Sequence, residues 1–213
     1  MEHGKPARYP LALLCVLVAW TALLGIAPVS RSDWLLENVI VAIAVPLLVF
    51  GYGRLRFSAL AYGALFVFFM LHEVGAHYTY SEVPYDRWVE AAFGTGLNPL
   101  LGFERNHFDR LVHLSYGLLL APCAVELLDA RAPPRGLWRW LLPVLFIMSH
   151  SVLYETVEWL AAEVFGGDLG QAFLGTQGDQ WDAQKDMALA MLGAAISVTW
   201  LRASRAARRP RDR

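Results

Sequence analysis

Cysteine is scarce in this chain. Only Cys15 and Cys123 occur among 213 residues, both inside apolar runs. No CxxC pair and no disulfide framework can be drawn, so both read as small apolar fillers. Net charge is also nearly absent, with 18 Lys and Arg against 19 Asp and Glu. That balance excludes a global basic field of the kind nucleic acid requires. There is no internal repeat. There is no His-Glu-x-x-His zinc signature, and His72-Glu73-x-x-x-His77 has the wrong order for one. Gly175-Thr176-Gln177-Gly178-Asp179 lacks the Lys of a Walker loop, which excludes that mode of nucleotide binding. It reads as a turn followed by a helix N-cap.

What the chain has is apolar length. Hydrophobic residues make up 56% and mean hydropathy is +0.39, above the soluble norm. A membrane helix needs about 20 residues. Six stretches fit: 9–27, 34–52, 57–76, 107–128, 137–164 and 182–201. The first follows Lys5 and Arg8, but its apolar run exceeds a usual signal peptide and no clean cleavage motif follows, so it reads as a retained span. The expected fold is all-α: a polytopic six-helix transmembrane bundle, one integral-membrane domain over 1–204, with a basic cytoplasmic tail at 205–213. In the long third loop, residues 83–93 alternate aromatic and charged side chains at helical spacing, which reads as an amphipathic interfacial helix. Residues 165–180 read as a Gly-rich loop.

Charge placement gives an orientation. The N-terminus, second loop, fourth loop and C-terminus carry 13 of the 18 basic residues. The positive-inside rule then puts both termini in the cytoplasm, as an even number of spans requires. Acids are biased the other way, with 15 of 19 outside or in the outer ends of helices. Acidic charge contributes little to topology, so this excess calls for another cause.

A functional site is that cause. Asp109, His113 and Tyr116 fall at i, i+4 and i+7, on one helix face. Glu155 and Glu158 lie i, i+3 near the outer end of the fifth span, with His150 and Tyr154 on the same side. Asp179, Asp182 and Asp186 lead into the sixth. His72, Glu73 and His77 close the third. A charged residue at a helix centre costs about 2.5–3.5 kcal/mol on insertion scales. These groups are therefore expected to face inward and meet. Asp109, His113, Glu155, Glu158 and Asp186 are the candidate catalytic set. Arg110, His72, Glu73, His77 and Asp179 are candidate ligand contacts. Glu155, Glu158, Asp182 and Asp186 suit a divalent metal ion, since bundles build metal sites from carboxylates on facing helices.

The motifs Glu73-x-Gly75-x-His77-Tyr78-Thr79-Tyr80, Asn106-His107-x-Asp109-Arg110-x-x-His113, Tyr154-Glu155-x-x-Glu158-Trp159 and Gly175-Thr176-Gln177-Gly178-Asp179-x-Trp181-Asp182-x-Gln184-x-Asp186 occur in that order. They resemble the bacterial YjdF family, inner-membrane proteins carrying a domain of unknown function. That resemblance implies the bacterial plasma membrane and no particular activity. A wider likeness is to the VanZ-like proteins of glycopeptide resistance. Asp109-Arg110-x-x-His113, Glu155-x-x-Glu158 and Asp186 with Gly193 look like their pattern. Arg110 stands for Lys, Glu158 for Gln, and Ala190 for a common Asn.

Three functions compete on these grounds. The first is a site open to the periplasm that binds or acts on an amphiphile, a lipid or lipid-linked envelope precursor. There Asp109 and His113 form an acid/base pair and Arg110 contacts an anion. The second is an ion- or proton-coupled carrier. The third is a structural or partner-binding membrane protein. None involves nucleic acid.

Overall fold

The computed structural model describes residues 8–207, and its described residues are helical with no strand. Five helices are long and apolar enough to cross a membrane: α2 (Arg31–Gly51), α3 (Ala59–His77), α6 (Phe108–Arg131), α7 (Trp138–Phe165) and α9 (Asp182–Ala207). A sixth, α1 (Arg8–Leu24), is apolar but has only 17 residues. Three short helices lie between them: α4 (Tyr85–Phe93), α5 (Leu97–Leu101) and α8 (Gly167–Leu174).

Capping explains the boundaries. The first span stops at Leu24, three residues before its expected end, because the Arg31 guanidinium takes the carbonyls of Gly25 and Ile26. The second starts three residues early. Ser30 is its N-cap, with its hydroxyl accepting from the Asp33 amide at 3.3 Å. Ser58 caps α3 in the same way through Ala61. Residues 165–180 are not all loop: Gly166 ends α7 at φ 59°, and α8 turns back along it. The short α5 likewise falls in a stretch that reads as turns. α4 forms within the expected amphipathic stretch, with Trp88 and Phe93 exposed. α9 continues past 201 into the basic tail as far as Ala207, and residues 208–213 lie outside the described part.

Two apolar cores join the long helices, and a third, Tyr80, Val83, Phe108 and Val112, packs the turn after α3 against α6. Leu17, Val41, Leu65 and Phe69 join α1, α2 and α3. Ala121, Ala124, Val125, Ile147, Ala194, Val198 and Leu201 join α6, α7 and α9. The α6–α9 contact is the most extensive in the molecule. It rests on two glycines. A Cβ on Gly117 would lie 2.0 Å from the Ala190 carbonyl oxygen, and one on Gly193 would lie 2.3 Å from the Leu114 oxygen. Only glycine allows backbones this close, the small-residue crossing of membrane helices.

The ends of the bundle differ. At one end, Val29 donates to the His77 carbonyl and His77 Nδ1 lies 2.7 Å from the Leu24 carbonyl oxygen. The starts of α2, α6 and α9 share that end, called here the site end. At the other, Glu126 accepts from the Ser58 amide and hydroxyl, and Asp129 takes Arg202 and Arg205.

Candidate functional site

The glycine crossing positions the site. α6 and α9 both start at the site end and run parallel. His113 lies one turn before Gly117, and Asp186 one turn before Ala190, so the crossing sets these two side chains opposite each other. Donor atoms of Asp109, His113 and Asp186 all lie within 4.8 Å of one another. α7 adds Glu155, whose Oε1 is 3.5 Å from His113 Nε2, and Asp109 Oδ1 is 3.4 Å from that same nitrogen. Both contacts are long for strong hydrogen bonds. Glu158, one turn further along α7, is buried, and the Tyr154 ring meets the His113 ring edge-on at 6.0 Å.

α2 contributes two residues not singled out in the sequence. Asp33 and Glu37 lie i, i+4 on its inward face and are both buried. The Tyr154 hydroxyl donates to Glu37 Oε2 at 3.1 Å, tying α2 to α7. Their spacing was a legible signal: two acids on one face at the start of an apolar span carry the same insertion cost as Asp109 and His113.

Asp109, Glu155 and Asp186 thus gather at the His113 imidazole, with Glu37 and Glu158 buried nearby. Among the described residues, no Lys or Arg forms an ion pair with any of them. Glu155 Oε1 and Asp186 Oδ1 are buried with no hydrogen-bond partner. Such crowding in a region of low dielectric demands a counter-cation or bound protons.

The basic residues form a separate layer above this cluster. Arg105 donates to both oxygens of Asp182, at 2.7 and 3.3 Å, and to the Thr176 carbonyl at 2.8 Å. Arg110 bridges Asp179 at 2.5 Å and Asp182 at 3.2 Å, and Lys185 reaches Asp179 at 2.5 Å. Lys185 and its neighbours hold the Asp179 carboxyl well below the ordinary carboxylate range. Burial and the adjacent Arg110 lower His107, so it stays a neutral acceptor beside Arg110 Nη1 at 3.4 Å. The turn at 175–178 closes the layer, where Gln177 at φ 48° exchanges hydrogen bonds with the Asn106 backbone.

The sequence-identified residues therefore divide. Asp109, His113, Glu155, Glu158 and Asp186 come together. Arg110, Asp179 and Asp182 form the layer above, with Asp182 seated in an ion pair rather than in the His113 cluster. His72, Glu73 and His77 stand apart on α3. His72 Nε2 lies 3.2 Å from the Glu37 carbonyl oxygen and Nδ1 lies 2.5 Å from the Tyr80 hydroxyl. Burial and nearby Glu37 push the Tyr80 phenol well above its usual value, so its hydroxyl remains a donor and Nε2 carries the imidazole proton. Glu73 accepts from Thr21 at 2.7 Å. His77 joins α1 to α3. His150, placed beside Glu158 by spacing, is exposed and turns its Nδ1 to its own helix at Phe146.

Long apolar helices wrapped around buried ionisable groups define a polytopic α-helical membrane protein. The chain belongs to the family described as predicted membrane protein DUF2238, whose pattern matches residues 9–207. It is 36% identical over 178 residues to inner membrane protein YjdF of Escherichia coli strain K12, covering 83% of this chain and 81% of that protein. No solved structure matches.

Proposed function

We propose that the chain is a six-span protein of the bacterial inner membrane, with both termini cytoplasmic and the site end facing the periplasm. In this reading the cluster around His113 receives the polar head of a membrane amphiphile, a lipid or a lipid-linked envelope precursor. α1 reaches about 26 Å at 1.5 Å per residue, enough to serve as the sixth span where the bilayer is thin or the helix upright. Arg54, Arg131, Arg202 and Arg205 gather at the end opposite the site, in keeping with a cytoplasmic face.

The observation that carries the reading is the pairing of two layers. An acidic cluster with one imidazole lies inside the apolar bundle, and a layer of ion-paired arginines covers it. Arg110 Nε is buried without a partner among the described residues. An entering phosphate or carboxylate would take that donor and compete with Asp179 for the rest of the guanidinium. Asp109 and His113, in contact beneath, would then face the head group. The wider VanZ-like likeness of spacing agrees with such a site but does not carry it.

A carrier reading needs a second exit. The other half of the bundle is closed by Ala121, Val125, Ala194 and Val198, none more than 1% exposed. The amphiphile reading therefore stands ahead of it.

Photo-crosslinking in native membranes with a photoactivatable diacyl phospholipid tests the reading. Label is expected on peptides holding residues 105–116 and 154–159. Arg110→Gln should cut that labelling by about tenfold, the effect of losing ~1.4 kcal/mol of contact. Label spread evenly over all lipid-facing helices, unchanged in Arg110→Gln, would overturn it.

A further inference from the structure

We propose that Asp109, His113 and Asp186, with Glu155 at their edge beside His113, form a binding site for one divalent transition-metal ion, of the zinc or manganese class. The ion would lie between α6, α7 and α9, one helical turn above the Gly117–Gly193 crossing. This rests on the reading of the cluster as the functional site and names the cofactor it holds.

Geometry is the first support. Zinc binds nitrogen and carboxylate oxygen at about 2.0–2.2 Å, which separates neighbouring tetrahedral donors by about 3.3–3.6 Å. His113 Nε2 stands 3.4 Å from Asp109 Oδ1 and 3.5 Å from Glu155 Oε1. These spacings are long for hydrogen bonds but match the edges of a shared coordination shell. Asp186 stands further out, beyond 4.0 Å from His113, with its donor inside the same 4.8 Å cluster as Asp109 and His113, so an ion would draw it inward.

Asp186 supplies the second, independent support. Its side chain is 2% exposed, and Oδ1 has no hydrogen-bond partner. Glu155 Oε1 is likewise buried and unpartnered. Buried carboxylate oxygens are rarely left without a partner. Here Glu155 Oε1 lies 3.5 Å from His113 Nε2, and neither oxygen has a Lys or Arg to receive it.

Donor chemistry selects the ion. One imidazole among carboxylates suits zinc or manganese, whereas magnesium and calcium favour all-oxygen shells. This set differs from the one the sequence suggests. Asp109 and His113 enter it. Asp182 leaves it, because Arg105 and Arg110 already hold its carboxylate. Glu158 sits one turn behind Glu155, buried at the back of the cluster.

Elemental analysis of the full chain in mild detergent, after equilibration with zinc or manganese and desalting, tests the proposal. One ion per chain is expected. Asp186→Asn and His113→Ala should each lower the retained metal by at least about tenfold, while Glu163→Gln, exposed on α7, retains it. Because loss of a core carboxylate can unfold the variant, the parent is also melted with and without metal. Its Tm should rise with added zinc or manganese and fall with chelator. Metal retention well below one ion per chain, together with an unmoved Tm, would overturn the proposal. So would full retention in Asp186→Asn. The lipid-labelling pattern is read separately, so a metal-free protein that still labels at residues 105–116 refutes the ion and leaves the amphiphile site standing.

Discussion

His72 and Tyr80 meet because the chain bends sharply after α3. Thr79 and Tyr80 both adopt φ 53°, and the Tyr80 ring folds back over Gly75, where a Cβ would lie 2.6 Å from it. Strain of this kind persists only when surrounding contacts over-determine it. Tyr80→Phe would leave the buried His72 Nδ1 without its donor, at a cost of about 1–3 kcal/mol. A lowered melting temperature in detergent is the expected result, and an unchanged one contradicts the assignment. Asp179 gives a pH dependence. Its folded pKa lies below its ordinary value of 3.8, so acid favours the unfolded chain. The stabilisation it supplies is complete above about pH 4 and drains away as pH falls further. Asp179→Asn should flatten that acid limb of the melting profile and leave the neutral range sloping as before. At this scale the sequence was informative about which residues would turn inward and poor about their partners. Insertion cost marks any acid in an apolar helix, and it marked Asp109, Glu155 and Asp186. The same cost applies to Glu37, and Asp33 lies just outside the expected start of the second span at 34, where acids also suit the helix dipole. His150 failed for a geometric reason. Steps of four residues drift by about 40° around the helix, so over eight residues a face is lost.

Helix ends and crossings set the next level. The five long spans were legible from apolar length alone, to within a few residues. α5 and α8 were not, because short helices in Gly-rich stretches form through tertiary contact rather than periodicity. α8, for example, lies against α7 so closely that a Cβ on Gly170 would come 2.9 Å from the Ala162 carbonyl oxygen. The α6–α9 crossing was invisible for a related reason: Gly117 and Gly193 are far apart in sequence, and nothing local pairs them. Gly117→Ala should destabilise the bundle by about 1–3 kcal/mol through overpacking, and it should weaken metal retention because His113 and Asp186 are one turn away. Gly51→Ala is the contrasting case. Nothing lies within 4 Å of the added methyl, so a small gain of about 0.4–1 kcal/mol is expected. Paired thermal melts of the two variants check both signs.

For the whole molecule, an acidic centre, an arginine layer and an apolar closed half make one asymmetric bundle. The proposed orientation, drawn from charge asymmetry along the sequence, puts the site end in the periplasm. An impermeant maleimide should therefore label Phe93→Cys in intact cells, since Phe93 is fully presented on α4. It should reach Gly53→Cys, in the turn after α2, only after permeabilisation. The reverse pattern would invert the topology and put the site in contact with the cytoplasm. That the scattered acids meet was inferable from cost. That they meet around His113 rather than around Asp182 depended on Arg105 and Arg110, whose reach across to α9 no spacing rule reveals.

The central claim is that α6 and α9 bring His113 and Asp186 into one cluster, with donor atoms within 4.8 Å. A double-mutant cycle on stability, with His113→Ala and Asp186→Asn singly and together, measures this with fewest assumptions. The account predicts a coupling of about 0.5–3 kcal/mol between the two substitutions. Additivity within ~0.3 kcal/mol would mean that the two side chains do not share a site.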